Sequence, residues 1–355
     1  MRPQKYLDVA DRLAARVRNG DYNLAELPAE RELAAQTGVS YATARKAVQH
    51  LVEKRVLRRL PNGRATPSAG GDKAAQIAFL TPAWESHVYV RWRHALSVAA
   101  AKRQASVRRV LYTHWDDPII AATVRGFDGT FLIPEPEPRP RTLVESLRHC
   151  GRPIVVLEDD WTNLGFRSIV TTPDFCVHRL LDHLAALGHR RIDYFNVQPG
   201  LVRFLQPWRL WLAAQRLAGD CIDEPVKPYE ETLPAAYAIL DRRIKAGKFK
   251  AKALVCTSET AAQGAVAALV DNGLRPGRDV AVCAAEYGSS LVFHNPSISS
   301  LAAIDLIPYA AVSLDWMAAN DPAAWPGPLL LHPADVQIAA RQTAAPNAAD
   351  HRKLK

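Results

Sequence analysis

The sequence predicts a multidomain fold: a small basic helical head, then a larger α/β body built on parallel sheets. Three observations predict it. Residues 1–66 hold 13 Lys+Arg against 7 Asp+Glu, so they carry +6 of the net +9 of the 355-residue chain. The same stretch contains three short amphipathic segments separated by turn signals. From residue 76 onward, apolar runs of strand length alternate with helix-length stretches, as in parallel sheets covered by helices. The length suits two or three domains. A composition of 48% hydrophobic and 23% charged residues excludes wholesale disorder.

Several classes of protein are set aside at once. No run approaches the ~18 apolar residues of a membrane span, so no membrane partner is expected. The opening MRPQKYLDVADRL has no apolar stretch of the secretory kind. Cys150, Cys176, Cys221, Cys256 and Cys283 are scattered with no CxxC, which points to reduced thiols in a cytoplasm, not a disulfide framework or zinc ribbon. No GxxxxGK[ST], GxGxxG or G-x-S-x-G occurs, so neither a phosphate cradle nor a nucleophile elbow is expected. His178 and His183 miss the i, i+4 spacing of a helical zinc pair. The acidic runs Asp116-Asp117 and Glu158-Asp159-Asp160 would diverge along a strand. No catalytic residue, metal or cofactor is therefore assigned.

The head reads in order. In residues 6–18, Tyr6, Ala10, Leu13, Ala14 and Val17 share one helical face, and Gly20 ends the helix. Leu27-Pro28-Ala29-Glu30 opens a second helix, with proline in its first turn and Glu30 favouring the positive helix end. Gly38 closes it. Val39 is expected to be a buried turn residue, and Ser40 to cap a third helix by accepting the Thr43 N–H. In that third helix Ala44, Ala47, Val48 and Leu51 form the core stripe, while Arg45, Lys46 and Gln49 point away. Two short helices joined through Gly38, the second basic outside, make a helix-turn-helix. Val56–Thr66 then reads as strand, Asn62-Gly63 turn and strand: a basic wing. A compact basic end on a near-neutral body is the footprint of a nucleic-acid-binding head, or otherwise a solvated basic face.

The segments LPAERELA, GVSYATARKAV and RRLPNGRAT resemble, in this order over about sixty residues, the winged helix of the GntR family of bacterial regulators. The resemblance implies that Arg31 contacts phosphate or base. It also implies that Ser40, Tyr41, Thr43, Arg45 and Lys46 line the recognition helix, and that Gly63 and Arg64 sit at the wing tip. Tyr41 stands where the family has arginine, and Pro61-Asn62 where its wing has the first glycine. Residues 1–66 are thus assigned to the head and 67–75 to a flexible linker.

In the body, Gln76–Pro82, Val107–Tyr112, Phe127–Pro134, Pro153–Leu157, Ile192–Phe195, Ala253–Cys256 and Val280–Ala284 read as strands. Segments 88–104, Thr142–Cys150, Phe175–Leu187 and Thr260–Asn272 read as helices. The landmarks Asp128-Gly129, Leu187-Gly188-His189-Arg190-Arg191-Ile192, the strand ending in Ser258-Glu259, Asp279-Val280 through Glu286, and Arg341-Gln342-Thr343 resemble the effector domain of LacI/GalR repressors. That domain is related to periplasmic sugar-binding proteins. The resemblance spans 76–345 and implies two Rossmann-like lobes, three crossing connections and a ligand cleft between them. A GntR head on such a body is similar to the arabinose-repressor-type subfamily. Residues 346–355 are expected to be a disordered tail.

Ligands of open parallel sheets bind beyond the carboxyl ends of strands. The candidates there are Trp84, His87, Tyr89, His114, Trp115, Asp160, Trp161, Ser258, Glu259, Glu286 and Tyr287. Aromatic faces and carboxylates suit a carbohydrate. Where the family has a sugar-gripping arginine this chain has Leu205, with Arg203 and Arg209 nearby and Trp211 in the tryptophan place. Family Asn-Asp is Ser258-Glu259 here, and a family Asp is Glu286. The tryptophans also suit core packing, Ser258-Glu259 a helix cap, and Glu286 a salt bridge. The resulting expectation is a cytoplasmic, nucleoid-associated homodimeric transcription regulator, most naturally a repressor. It would bind pseudo-palindromic operator DNA under the control of a small-molecule, sugar-like effector. The alternatives are a regulator with a degenerate cleft controlled by dimerisation or a partner protein, and a sugar-binding protein or enzyme with a basic appendage.

Overall fold

The computed structural model describes residues 5–68, 75–84, 86–227, 229–319, 321–325 and 327–345. The head comprises α1 (Lys5–Arg18), α2 (Glu30–Thr37), α3 (Tyr41–Glu53) and the antiparallel hairpin β1 (Leu57–Arg59) with β2 (Ala65–Pro67). There follow β3 (Ala75–Pro82), α4 (His87–Ala101), β4 (Ala105–Tyr112), α5 (Pro118–Gly126), β5 (Gly129–Leu132), α6 (Arg141–Arg148), β6 (Ile154–Leu157) and β7 (Arg167–Ile169). Next come α7 (Phe175–Ala186), β8 (Ile192–Asn196), α8 (Leu205–Gln215), β9 (Cys221–Asp223), α9 (Thr232–Lys245), β10 (Ala253–Cys256), α10 (Glu259–Asp271), β11 (Ala281–Ala284), α11 (Ser289–Phe293) and β12 (Ser299–Leu301). The chain ends with α12 (Ile307–Ala319), β13 (Leu330–Leu331) and β14 (Ile338–Ala339).

The chain divides into two compact units. The first holds the head, the stretch to residue 169 apart from 136–138, and residues 305–331; the second holds 136–138, 170–304 and the residues from 332 on. The first unit's sheet runs β13-β7-β6-β5-β3-β4, and the second's β14-β12-β11-β10-β8-β9. All neighbours are parallel except β12 and β14. Each sheet is covered on both faces because side chains alternate along a strand. Ile77 and Phe79 of β3 join Trp92, Leu96, Leu314 and Met317 on one face, whereas Ala78 and Leu80 join Ile120, Val124, Trp161 and Phe166 on the other. In the second unit Tyr194 and Val255 face α7 and α8, and Phe195 and Leu254 face α9 and α10.

Two of the landmarks, Asp128-Gly129 and Arg341-Gln342-Thr343, are packing devices. Asp128 accepts from the Gln76 backbone N–H at 2.9 Å and its own N–H returns to the Gln76 carbonyl at 2.8 Å. Gly129 leaves room for Met317, whose sulfur would lie 2.7 Å from any Cβ there. The Thr343 hydroxyl donates to the Val282 carbonyl at 2.7 Å, and Arg341 donates to the Ile298 carbonyl and the Ser300 hydroxyl, each at 2.9 Å. A ring nitrogen of His183 lies 2.8 Å from the Ala344 carbonyl.

Three expectations need correction. Pro28 is outside α2, because Ala29 stays extended and the helix begins at Glu30. Val39 is only half-buried. The linker is narrower than 67–75: Pro67 pairs with Leu57 in the wing, and Ala75 already pairs with Ala105 in β3. The rest of that linker, 69–74, and the tail 346–355 lie outside the described residues. Helices α5, α8, α9, α11 and α12 were not read from the sequence. For α5 a signal existed: Asp117 caps it, accepting the Ile119 N–H at 3.0 Å, and Pro118 occupies its first turn. Helix α12 is apolar almost all round and gave no stripe to read.

Helices α9 and α10 meet at Gly264, where a Cβ would lie 2.7 Å from both Ala236 Cβ and the Leu233 carbonyl. Gly264→Ala should therefore overpack this contact and destabilise the protein by about 1–3 kcal/mol, read as an earlier denaturant midpoint. An unchanged midpoint would show that the two helices can part without cost.

Candidate functional site

Helix α3 is held by its small residues. Ala44 and Ala47 let it approach α1, and with Val48 and Leu51 they bury its inner face in the head core. The outer face is thereby fixed: Tyr41, Arg45, Lys46 and Gln49 are exposed. Ser40 caps the helix as expected, its hydroxyl accepting the Thr43 N–H at 3.2 Å. Lys46 Nζ lies 4.4 Å above the Tyr6 ring, which limits its reach. Arg31, on α2, and Arg45 are exposed and pair with nothing among the described residues.

The wing is tied to this surface by Glu30. One carboxylate oxygen accepts the Tyr41 hydroxyl at 3.1 Å, and the other accepts Arg59 Nη2 at 2.7 Å. Arg59 Nη1 also donates to the Gly63 carbonyl at 2.7 Å. The turn itself needs glycine, because Gly63 has φ +80°. Arg64 sits at the exposed tip, paired at 2.6 Å with a Glu26 that is itself 80% exposed. The head therefore brings Arg31, Ser40, Tyr41, Thr43, Arg45, Lys46, Gly63 and Arg64 onto one small domain. Sequence reading missed Glu30 and Arg59 as its organisers. They lie 29 residues apart, and no local spacing marks them.

In the first unit, the aromatic candidates separate. His87 is exposed at the start of α4, and Trp84 is half-buried beside the apolar core. Tyr89 is buried in that core, so it presents no open face. Trp115 stacks on Tyr112 at 5.4 Å, and Trp161 is fully buried, donating Nε1 to Asp159 Oδ2 at 2.7 Å. Trp115, Trp161 and Tyr89 pack in the cores of the first unit, where planar apolar faces with one satisfied polar edge fit well. Asp160 closes a turn, accepting from Thr162 N at 2.9 Å and Thr162 Oγ1 at 2.6 Å. Beyond the carboxyl ends of β5 and β6 lie two carboxylates that sequence reading did not single out as ligand contacts. Glu135 is buried, and Glu158, with φ +62°, accepts Trp92 Nε1 at 2.7 Å.

In the second unit, the ends of β10 and β11 bring Glu259 and Glu286 together, because Cys256 and Ala284 are register partners. The Glu259 N–H donates to Glu286 Oε2 at 3.3 Å, and the Ser290 hydroxyl donates to Glu259 Oε1. Gly288 packs so closely on the Glu259 carboxylate that no Cβ would fit. Ser258 is fully buried and caps α10, accepting the Ala261 N–H at 3.2 Å. At the neighbouring strand ends Thr257 donates to Asn196 at 2.6 Å, and Asn196 to Asp223 at 2.9 Å. Arg203 lies 5.0 Å over the Phe204 ring. Arg209 is exposed on α8, where its hydrogen bond and charge oppose the rise that burial, then Asp223, impose on the Cys221 thiol. Trp211 is buried and donates to Asp182 at 2.9 Å. Burial pushes the Cys176 and Cys283 thiols up to about 12, far from a reactive thiolate. Among the described residues no helix is long and apolar enough to cross a membrane.

Comparison with known proteins matches these two parts separately. Residues 5–66 match the family of bacterial regulatory proteins called gntR, and residues 181–326 match the periplasmic binding protein-like domain. The chain therefore carries a gntR-type helix-turn-helix domain followed by a periplasmic-binding-protein-like domain. No curated protein matches the chain. Among solved structures it is similar to the lac repressor dimer bound to operator and the anti-inducer ONPF. That match has 17% identity and a TM-score of 0.64, covering 78% of this chain and 96% of that one. A transcription regulator GntR from Chromobacterium violaceum is 17% identical with a TM-score of 0.62, covering 76% and 99%. A LacI family regulator from Arthrobacter sp. FB24, in complex with lactose, is 16% identical with a TM-score of 0.63, covering 76% and 99%. These likenesses establish the two-lobed α/β fold.

Glu30→Ala should free the wing without unfolding the head. Partly exposed ion pairs contribute only about 0–1 kcal/mol, so the melting temperature should barely move while the Gly63 and Arg64 amides exchange faster. Unaltered exchange at those amides would show that the wing needs no anchor on Glu30.

Proposed function

We propose that the chain is a DNA-binding transcription regulator, most naturally a repressor, that works as a homodimer in the cytoplasm. The exposed face of α3 beside the wing carries this reading. Arg31 and Arg45 lie open to phosphates or base edges, and among the described residues the Arg64 guanidinium is held by an exposed Glu26. Two such heads on a two-fold dimer would read two half-sites of a pseudo-palindromic operator. The lac repressor likeness, a dimer bound to operator, supports this reading. Neither matched family model is that of an enzyme, and no reaction is proposed. In the full-length protein Arg45→Ala should weaken operator DNA by about 1–3 kcal/mol if it reads a base edge. Binding should also fall steeply with salt, because phosphate contacts release counterions. Equal affinity of Arg45→Ala and wild type in an electrophoretic shift titration would remove Arg45 from the interface.

The body is proposed to take a polyhydroxylated small molecule at the carboxyl ends of β10 and β11, with Glu286 accepting its hydroxyls. The lactose-bound neighbour supports a sugar-like ligand. Glu286→Gln should then weaken the ligand about tenfold, since hydrogen bonds to charged groups contribute roughly 1.5–3 kcal/mol. Calorimetry giving equal affinity would exclude that carboxylate. One observation favours a second reading, a body controlled by dimerisation or a partner protein: Trp115, Trp161 and Tyr89 are spent on the core, and Glu259 on Ser290. A thermal-shift screen with sugars and sugar phosphates separates the two, because a ligand at about 100-fold its dissociation constant adds roughly 2.7 kcal/mol. No shift with any member would favour the second.

A further inference from the structure

The end of α1 is capped by the body. A helix leaves its last carbonyls short of partners. The Arg18 carbonyl is met by side chains from the first strands of the first unit, and the Val17 and Gly20 carbonyls, which accept the Gly20 and Asn23 N–H groups, accept a second donor from the same strands. Gln76 Nε2 donates to the Val17 carbonyl at 2.6 Å, Ser106 Oγ to the Arg18 carbonyl at 2.8 Å, and Arg108 Nη1 to the Gly20 carbonyl at 2.5 Å. Gln76 and Ser106 are register partners, as are Ala78 and Arg108, so the three donors line the amino ends of β3 and β4 on one face. Gln76 is only 2% exposed, so this amide is committed to the contact. Arg108 also lies 3.8 Å from Asp21, which is paired with Arg16 of α1 at 3.0 Å.

Packing follows the same seam. Leu24 inserts against the core that holds Val124, Phe127 and Leu132. Gly126 lies so close to the Asn23 carbonyl that a Cβ would come within 2.7 Å. Gly20, at φ +76°, has Phe127 and the Gln76 amide within 3.4 Å of where its Cβ would be. Meanwhile the opposite end of the head's chemistry stays open: Tyr41, Arg45 and Gln49 remain exposed.

We infer that α1 is a rigid arm joining the head to the first lobe. Recognition helix and lobe then turn as one body, not as domains joined only through the 69–74 segment. The same helix buries Val9, Leu13 and Val17 in the head core and presents its last carbonyls to the lobe. Any rotation of that lobe therefore reaches α3 without loss, and the capped state leaves the nucleic-acid face uncovered. The inference concerns the free chain and stands apart from whether the head binds an operator.

The test is backbone 15N relaxation with amide hydrogen exchange on the full-length protein, wild type against Ser106→Ala/Arg108→Ala. In wild type, head and lobe amides should report one rotational correlation time. In the variant, head amides should shift to a shorter time, and residues 19–24 should exchange at least tenfold faster. Protection within α2 and α3 should persist, which distinguishes release of the head from its unfolding. Arg108→Lys, which can still donate to the Gly20 carbonyl, should restore part of the protection. A wild-type head that tumbles separately would overturn the inference. A double variant with unchanged correlation time and exchange would do the same.

Discussion

A buried donor must find a partner, and Gln76 gives its Nε2 to the Val17 carbonyl at the point on which much of the first unit depends, while its Oε1 meets no donor among the described residues. Its backbone is bracketed by Asp128 on both sides, which sets β3 against β5. Its side chain reaches the end of α1. A one-residue slip in β3 would turn Gln76 to the other face and take the donor row of β4 out of register with it. The alternation that sends Ile77 and Phe79 to one core and Ala78 and Leu80 to the other therefore also decides how the head is held.

The two ends of the sheets do different work. At the amino ends of β3 and β4, donors are spent on backbone carbonyls of a neighbouring helix, a structural use. At the carboxyl ends, connections are longer and polar side chains gather: Glu135 and Glu158 in the first unit, Asn196, Asp223, Thr257, Glu259 and Glu286 in the second. Parallel strands oblige this, since each crossover helix leaves from the carboxyl end and its first turn carries unpaired N–H groups. Ser258 shows the overlap of roles. It stands where a ligand contact was expected, yet its hydroxyl satisfies the Ala261 N–H.

Much of this was legible in the sequence. The winged head was readable because its signals are local: the Ser40 cap, the Gly38 stop, the alanine stripe of α3 and the Asn62-Gly63 turn each act within four residues. The long strands and amphipathic helices of the body were readable for the same reason. Strands of two or three residues, such as β7, β9, β13 and β14, are too short to show a period, and α12 is too uniformly apolar. The tryptophans could be read two ways, because an aromatic ring after a strand serves a core or a ligand equally well. In the fold Trp115 and Trp161 pack among the core side chains of the first unit.

By itself the sequence determined the order of domains, the basic surface of α3 and the placement of carboxylates after strands, all properties of near neighbours along the chain. The tertiary structure decided which of those groups are already committed. Glu30 and Arg59, Gln76 and Val17, Glu259 and Ser290 are each separated by 29 residues or more, and their pairing depends on how sheets and helices stack. Hydrogen bonds of this kind act over about 3 Å, so no pattern in the linear chain could reveal them before the fold brought their atoms together.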